Sequence, residues 1–295
     1  MPLTALFLVL IAAVLHAFWN FLGKDARDSS AFMWWGVTVG AIWYGVWMFT
    51  QAWLGLPREV WLVFALSLAA EIAYLRAITR GYASGDLSQV YPIARGSPPL
   101  LIALFSAIFL AERLPLLGYV GIALLIVGVY LASLPSLDDV WKPLRALRSP
   151  QNSWGSLSPA QWALFAALCV SIYTPLDKIG VTYTAPLVYN LWVYAGIAVG
   201  FAPFVWSRSQ RASTMREVQT SWRRILIGSV ATVSSYLLAL TGLSMTAASY
   251  VGAVRATSIV IGALMGWLLL KEKLGAVRVF AAALMVVGLT LVAVA

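Results

Sequence analysis

Long apolar runs recur along the whole chain, and short polar segments separate them. A run of about 20 apolar residues is long enough to cross the roughly 30 Å hydrocarbon core of a bilayer as an α-helix. The pattern predicts ten such spans, near residues 3–22, 31–51, 60–80, 88–110, 114–133, 159–180, 185–206, 222–242, 247–270 and 275–294. We therefore expect an all-α integral membrane protein with ten transmembrane helices, called spans 1 to 10 below.

The composition supports a membrane protein. Hydrophobic residues make up 61% of the 295 residues and charged residues only 11%, whereas a soluble domain carries about 25% charged residues. The first span lacks the basic segment with which a secretory signal peptide begins. It also carries His16, Trp19 and Asn20, so we interpret it as a helix of the mature protein.

The net charge of +9 is distributed unevenly between the loops. Most basic residues fall in the odd-numbered loops, whereas the even-numbered loops hold Arg58, Arg113 and Lys178. Because cytoplasmic loops are enriched in Lys and Arg, the odd loops are predicted to be cytoplasmic and both termini external. Orientation and contact with anionic membrane lipids explain the positive charge. We therefore expect no nucleic-acid partner.

The second half of the chain repeats the first. Residues 111–129 align with residues 271–289 at an offset of 160, and residues 94–97 align with 254–257 at the same offset. The repeat predicts two five-helix units, residues 1–133 and 159–295, joined by a polar cytoplasmic linker at 134–158. An odd number of helices per unit makes the second unit enter the membrane from the opposite side. Inverted repeats of this kind place a transporter's binding site near the bilayer midplane.

Several segments resemble a known family. They are YPIARGSP at residues 91–98, Glu112 and Glu272 closing spans 4 and 9, and YTPLDK at residues 173–178. Together with the two-half layout they resemble the EamA-type branch of the drug/metabolite transporter superfamily. The resemblance implies a secondary transporter of the inner (cytoplasmic) membrane and leaves the cargo open. HAFWN at residues 16–20 also resembles a subgroup linked to phosphonate utilisation. The membrane-embedded glutamate of the small multidrug members has no counterpart in span 1.

Two arginines lie inside predicted spans, Arg95 in span 4 and Arg255 in span 9. Each lies roughly 10 Å from the nearer membrane face at 1.5 Å per residue. A charge at that depth costs at least roughly 2.5 kcal/mol, so it usually binds something or is paired internally. Glu71, the only acid that the pattern clearly buries, is a candidate partner for Arg95. That pairing would leave Arg255 for cargo, and a guanidinium matches a carboxylate or phosphonate in bidentate fashion.

Further candidates for a cavity are polar or aromatic residues within the spans. Trp19 and Asn20 share a helix face with His16, and Tyr91, Tyr173 and Tyr236 lie on three other spans. Each is either a cavity-lining residue or a structural one. Glu71 and His16 are the candidates for a proton-coupling site, since the unperturbed pKa of histidine is near neutrality.

The sequence offers little for catalysis. One histidine and one cysteine cannot build a multi-histidine or multi-cysteine metal site, and no phosphate-binding glycine loop is present. We therefore expect no enzyme activity, no metal and no cofactor. The prediction is a secondary active transporter, monomeric or homodimeric, that moves a small anionic or zwitterionic metabolite by alternating access. An amino-acid-like compound, an organic acid or a phosphonate fits this charge. Alternatives are a lipid-precursor flippase, a drug or organic-cation exporter, and a structural or receptor protein.

Overall fold

The computed structural model describes residues 1–23, 26–50, 55–84, 93–94, 96–132, 134, 141, 157–270 and 276–295. Within these ranges the regular structure is helical. The helices are α1 (Leu3–Gly23), α2 (Ser29–Phe49), α3 (Trp61–Ser84, after a 3₁₀ turn at Arg58–Val60), α4 (Pro98–Phe109), α5 (Leu116–Ala132), α6 (Pro159–Tyr183), α7 (Pro186–Val205), α8 (Arg211–Met245), α9 (Ala248–Arg255), α10 (Ser258–Leu270) and α11 (Ala276–Val294).

Helix length and exposed apolar surface support a multi-pass membrane protein. Five described helices are long and apolar enough to cross a bilayer: α1, α3 with its preceding turn, α6, α7 and α8. Large apolar side chains such as Phe49, Leu116 and Val199 are 76% to 80% exposed on the outside of the bundle. Lipid is the environment in which such a surface is stable. The count of ten spans stays a prediction.

Capping residues and prolines define where several helices begin. The Asp28 side chain accepts a hydrogen bond from the Ala31 amide at the start of α2, and Ser158 forms a capping box with Gln161 at the start of α6. Pro98 and Pro99 occupy the first positions of α4, although span 4 was predicted to be one continuous helix over residues 88–110. That expectation was wrong because proline, whose amide is not needed in the first turn, is favoured there.

Predicted span 9 is also interrupted. It was expected to be one helix over 247–270, but α9 ends at Arg255 and α10 begins at Ser258. The Thr257 amide bonds to the Val254 carbonyl at 3.0 Å in a tighter turn between them. Ser258 follows Pro98 by 160 residues, the offset of the sequence repeat. Both halves therefore begin a new helix at the same position of the repeat, three residues after the arginine.

Helix α8 is longer than expected. Residues 207–221 were predicted to be a basic loop, yet α8 begins at Arg211 and runs to Met245. Residues 211–227 contain no glycine or proline, so nothing in the chain stops a helix there. The buried Glu217 fixes this extension, because its carboxylate accepts hydrogen bonds from the Asp28 amide at 3.1 Å and the Ser221 hydroxyl at 2.7 Å.

Four of the larger helix contacts follow the repeat, whereas the α2–α8 contact is more extensive than its counterpart between α3 and α7. Helix α3 packs on α6 and α8 packs on α1; α2 packs on α7, and α5 packs on α11. If each of the first five predicted spans is exchanged for the corresponding span of the second half, the α3–α6 pair (spans 3 and 6) becomes the α8–α1 pair (spans 8 and 1). The α2–α7 pair (spans 2 and 7) and the α5–α11 pair (spans 5 and 10) are each converted into themselves. The two halves are thus built alike and interlock. Their opposite orientation in the membrane stays a prediction.

The α5–α11 contact depends on glycine. A Cβ atom added at Gly121 would lie 2.8 Å from the Gly288 carbonyl oxygen, and one added at Gly288 would lie 2.8 Å from the Gly121 oxygen. Backbones of membrane helices approach this closely only where side chains are very small. Gly262 on α10 has open space instead, with no atom within 4 Å of an added Cβ.

We expect Gly121→Ala to lower the thermal unfolding midpoint of the purified protein in detergent. Overpacking against a rigid backbone costs about 1–3 kcal/mol, which exceeds the roughly 1 kcal/mol that alanine gains over glycine in a helix. Gly262→Ala is the matched control and should leave the midpoint unchanged or raise it. Equal midpoints for the two variants would contradict the close α5–α11 contact.

Candidate substrate cavity

A cavity of about 180 Å³ lies inside the bundle. Helices α1, α2, α3, α4, α6, α7, α8, α9 and α10 contribute to its wall. Seven residues predicted from sequence as site candidates line it: His16, Trp19, Asn20, Glu71, Tyr173, Tyr236 and Arg255. The other two candidates, Arg95 and Tyr91, lie outside the described residues, as does the postulated contact of Arg95 with Glu71.

Arg255 is the last residue of α9, beside the helix break. Its guanidinium carbon lies 5.3 Å from the centroid of the Tyr236 ring, which is cation–π distance. Within the described part of the chain, the guanidinium makes no hydrogen bond or ion pair. Its positive charge attracts the carboxylates of both Glu71 and Asp177. Arg255 is thus held near the cavity by a ring face, and its donors remain available to a ligand.

Two buried carboxyl groups meet at the Tyr236 hydroxyl. Glu71 on α3 is 5% exposed and Asp177 on α6 is 1% exposed. The Tyr236 hydroxyl, on α8, hydrogen-bonds to Glu71 Oε1 and, at 2.5 Å, to Asp177 Oδ2. One side chain from α8 therefore joins α3 and α6 through their acids.

Asp177 has further hydroxyl partners. Ser67 donates to its Oδ1 at 2.5 Å, and Tyr189 donates to the same oxygen at 3.1 Å. With Tyr236, three hydroxyls from α3, α7 and α8 converge on this carboxylate. Such convergence is the usual way in which a buried carboxylate is stabilised.

Asp177 is the residue that sequence reasoning missed as a site candidate. The expectation that Glu71 is the only buried acid was wrong, since Asp177 and Glu217 are both 1% exposed. Predicted span 6 ended at residue 180, which placed Asp177 near a membrane face, whereas α6 continues to Tyr183. One signal was available: Tyr173 and Asp177 are four residues apart and therefore share a helix face.

The α1 wall of the cavity is partly structural. Trp19 stacks on Phe32 with ring centroids 4.9 Å apart. Its ring occupies the space that a Cβ would need at Gly36 on α2 and at Gly228 on α8. Trp19 thus fills the junction of three helices as well as lining the cavity. Asn20 donates to the His16 carbonyl at 2.7 Å, within the same helix.

A second polar cluster ties α9 to its surroundings at the end away from the break. Glu112 accepts hydrogen bonds from the Ala248 amide at 2.6 Å, the Ser249 amide at 3.2 Å and the Ser249 hydroxyl at 2.5 Å. A carboxylate there satisfies free amides and complements the helix dipole. Lys178 donates to the Leu243 and Thr246 carbonyls at 2.5 and 3.0 Å, at the end of α8.

Local backbone geometry places Glu112 for this role. Ala111 has a positive φ of 51°, and the Glu112 amide bonds back to the Ser106 carbonyl at 3.2 Å. Ala111, in the left-handed conformation, follows the end of α4 as part of a C-terminal cap. Glycine is the usual residue at such a position. The chain then turns, and the Glu112 carboxylate reaches the start of α9.

A bundle of apolar helices around a cavity that holds buried charged side chains is an arrangement typical of membrane transporters. The model of the EamA-like transporter family matches the chain twice, over residues 3–134 and 157–294. The chain belongs to the EamA-like transporter family and carries two copies of its unit. Since family members are transporters, this supports the expectation that it is not an enzyme. Among the described residues, no three His, Cys, Asp or Glu side chains are grouped to hold a metal ion.

Individual relatives agree with this family. A protein of Sinorhizobium sp, named "Uncharacterized transporter in cobO 3'region", is 34% identical over 76 residues, which are 26% of this chain and 53% of that relative. The match therefore spans about half the length of the curated relative. A solved crystal structure superposes with a TM-score of 0.73 at 14% identity, covering 98% of this chain and 95% of the other. At that identity the likeness shows a shared fold alone.

We expect Tyr236→Phe to destabilise the protein, because both acids lose the hydroxyl that joins them. Leaving a buried polar group without its partner costs about 1–3 kcal/mol. The measurement is the thermal unfolding midpoint in detergent, with Tyr183→Phe as control because Tyr183 is 54% exposed. A midpoint as high as that of the control variant would contradict the bridging role.

We expect Glu112→Ala to loosen the first turn of α9. Loss of a helix N-terminal cap costs about 0.5–2 kcal/mol, so the Ala248 and Ser249 amides should exchange faster with deuterium. Peptide-level hydrogen exchange checks this, and Glu59→Ala, at an exposed acid in the Arg58–Val60 turn, is the control. Unchanged exchange in Glu112→Ala would show that other groups hold the start of α9.

Proposed function

We propose that the chain is a secondary active transporter that moves a small anionic or zwitterionic metabolite across the cytoplasmic membrane by alternating access. Its ten spans form two inverted halves, and the cargo occupies the cavity between them. Arg255 is the main contact for the acidic group of the cargo. The observation that carries this proposal is the Arg255 guanidinium, which lies at the cavity and has no hydrogen-bond or ion-pair partner among the described residues.

The broken helix adds to the preference for an anion. Ser258 lies at the start of α10, and both it and Ile259 line the cavity. Pro98 and Pro99 at the start of α4 line it as well. A helix N-terminus carries a partial positive charge and free amides, and broken helices of transporters direct such ends at anionic cargo. Arg255 and the start of α10 therefore favour a carboxylate or phosphonate, whereas Pro98 and Pro99 have no amide N–H to donate at the start of α4.

The cavity also carries acids, which bears on the second charge of the cargo. Glu71 and Asp177 lie in the same wall as Arg255. A zwitterion with an amino group and an acid group has partners for both ends, as in amino-acid-like compounds.

An organic-cation exporter is the second candidate. The two buried acids and the tyrosines of the cavity, among them Tyr173 and Tyr194, are groups that attract organic cations. In this alternative Arg255 is a structural residue that counterbalances the acids. Transport selectivity separates the two candidates.

The test is uptake into proteoliposomes across a panel of labelled amino acids, organic acids, phosphonates and organic cations. For the cargo that the panel selects, we expect Arg255→Ala to lower the apparent affinity about ten- to hundredfold. A hydrogen bond to a charged group is worth about 1.5–3 kcal/mol. Arg255→Lys should recover part of the loss because lysine keeps the charge without the bidentate geometry.

Arg58→Ala is the control, since Arg58 lies on the exposed turn before α3 and should transport as the wild type does. Selective uptake of organic cations that Arg255→Ala leaves unchanged would reject the anion site and favour the exporter. Uptake of anions that is equally insensitive to Arg255→Ala would place the binding contact elsewhere in the cavity.

A further inference from the structure

The Glu71, Tyr236 and Asp177 side chains form two hydrogen bonds, and each of these bonds needs a hydrogen atom of its own. A tyrosine hydroxyl carries one hydrogen, while an ionised carboxylate only accepts. Tyr236 contacts both acids, so its one hydrogen can serve only one of them. The other contact is a hydrogen bond only if that carboxyl group is protonated and donates to the hydroxyl oxygen. The arrangement therefore requires one extra proton.

The surroundings indicate which acid carries that proton. Asp177 accepts from Ser67 and Tyr189 in addition to Tyr236, and hydrogen bonds to a carboxylate favour its charged form. Tyr236 is the only described hydrogen-bond partner of Glu71. The chain of hydrogen bonds then runs from protonated Glu71 to the Tyr236 oxygen, and from the Tyr236 hydrogen to ionised Asp177.

Other titratable or charged groups lie close to the pair or line the same cavity: His16 on α1, Tyr74 on α3, Tyr173 on α6, Tyr189 and Tyr194 on α7, and Arg255 on α9. Among these described groups, Arg255 carries a full positive charge. With one proton on the pair, the single remaining negative charge of the acids balances it. An anion that binds Arg255 adds one negative charge to this group. The acids keep their one proton without having to bind a second.

We infer that Glu71, Tyr236 and Asp177 form one proton-binding site that holds a single proton, and that this proton is carried together with an anionic cargo bound to Arg255. The inference rests on the proposed function for its cargo, although the proton site itself does not. On release, the Glu71 O–H bond breaks and the proton passes to cavity water, while Tyr236 keeps its own hydrogen. Loss of that proton leaves two negative charges beside the cargo, which favours release of an anion. Binding of proton and anion thus reinforce each other, as linkage requires.

The proton site can be tested without any cargo by infrared spectroscopy of the full chain in lipid. A protonated carboxyl group has a carbonyl stretching band that an ionised carboxylate lacks. We expect one such band at neutral pH, which shifts when glutamate is labelled with ¹³C at its side-chain carboxyl and stays when aspartate is labelled. Because this labelling uses the wild-type protein, folding of a variant does not limit it.

Variants then test whether the proton is shared. Glu71→Gln should abolish the band, and Asp177→Asn should reduce or shift it because the ionised acceptor is lost. Glu217→Gln is the matched control, a buried acid whose partners are Asp28 and Ser221, and it should leave the band unchanged. The absence of a protonated band in the wild type, or a band indifferent to both Glu71→Gln and Asp177→Asn, would overturn the inference.

Coupling is tested with the compound that the uptake panel selects, in proteoliposomes with the membrane potential held at zero. One proton per cargo supports about tenfold accumulation toward the alkaline side for a pH difference of one unit. Glu71→Gln should lose this accumulation and keep exchange of labelled for unlabelled cargo, while Glu217→Gln, at a buried acid that does not line the cavity, should keep both. Accumulation on the acidic side, or about a hundredfold ratio that indicates two protons, would overturn the coupling. If no compound enters, the proposed function fails and the spectroscopic result still decides the proton site.

Discussion

The centre of this bundle depends on one interaction, in which two buried acids share a single tyrosine hydroxyl. A buried carboxylate without partners is strongly unfavourable, and more so inside a membrane. Here the partners are supplied by Ser67 on α3, Tyr189 on α7 and Tyr236 on α8, all directed at or beside Asp177 on α6. Four helices must therefore keep their relative positions for the acids to remain satisfied, and these four form part of the wall of the cavity.

The broken helix extends the same constraint to the other side of the cavity. Arg255 lies over the Tyr236 ring at the end of α9, so the cation and the two acids are organised around a single tyrosine. The far end of α9 is capped by Glu112, while Lys178, next to Asp177 in the chain, binds the last carbonyls of α8. A movement of α9 would alter both of its ends, one at the cavity and one at the Glu112 contact. The half-helix thus links the charge of the cavity to the connection between α8 and α9.

Hydropathy and repeat spacing predicted most helices and seven of the cavity residues, because both signals depend on which side chains avoid lipid. Three features escaped them for specific reasons. Asp177 lies beside Lys178 near a predicted span end, so it reads as an interfacial charge, and its burial depends on where α6 stops. The turn after Arg255 has no proline to mark it. The basic residues at the start of α8 are typical of a loop. Its helical form depends on the contact of Glu217 with Asp28, and these two residues are far apart in the sequence.

The repeat also shows where the two halves differ, and the difference falls on the proton site. Away from the segments that align at an offset of 160 the spacing changes: Tyr236 matches Tyr74 at an offset of 162, and Lys178 matches Lys24 at 154. Asp177 then falls opposite Gly23, and Glu71 falls opposite Val233. Both acids therefore belong to the α3–α6 pair, and the equivalent α8–α1 pair has none at those positions. Tyr74 has no acid to bridge and instead packs edge-to-face on Tyr173, with centroids 6.1 Å apart. A scaffold of two similar halves accounts for the helix packing, whereas the acids and their shared hydroxyl make the cavity chemically one-sided. If the halves exchange conformations during transport, this one-sidedness is what makes the two access states differ in their contact with the acids.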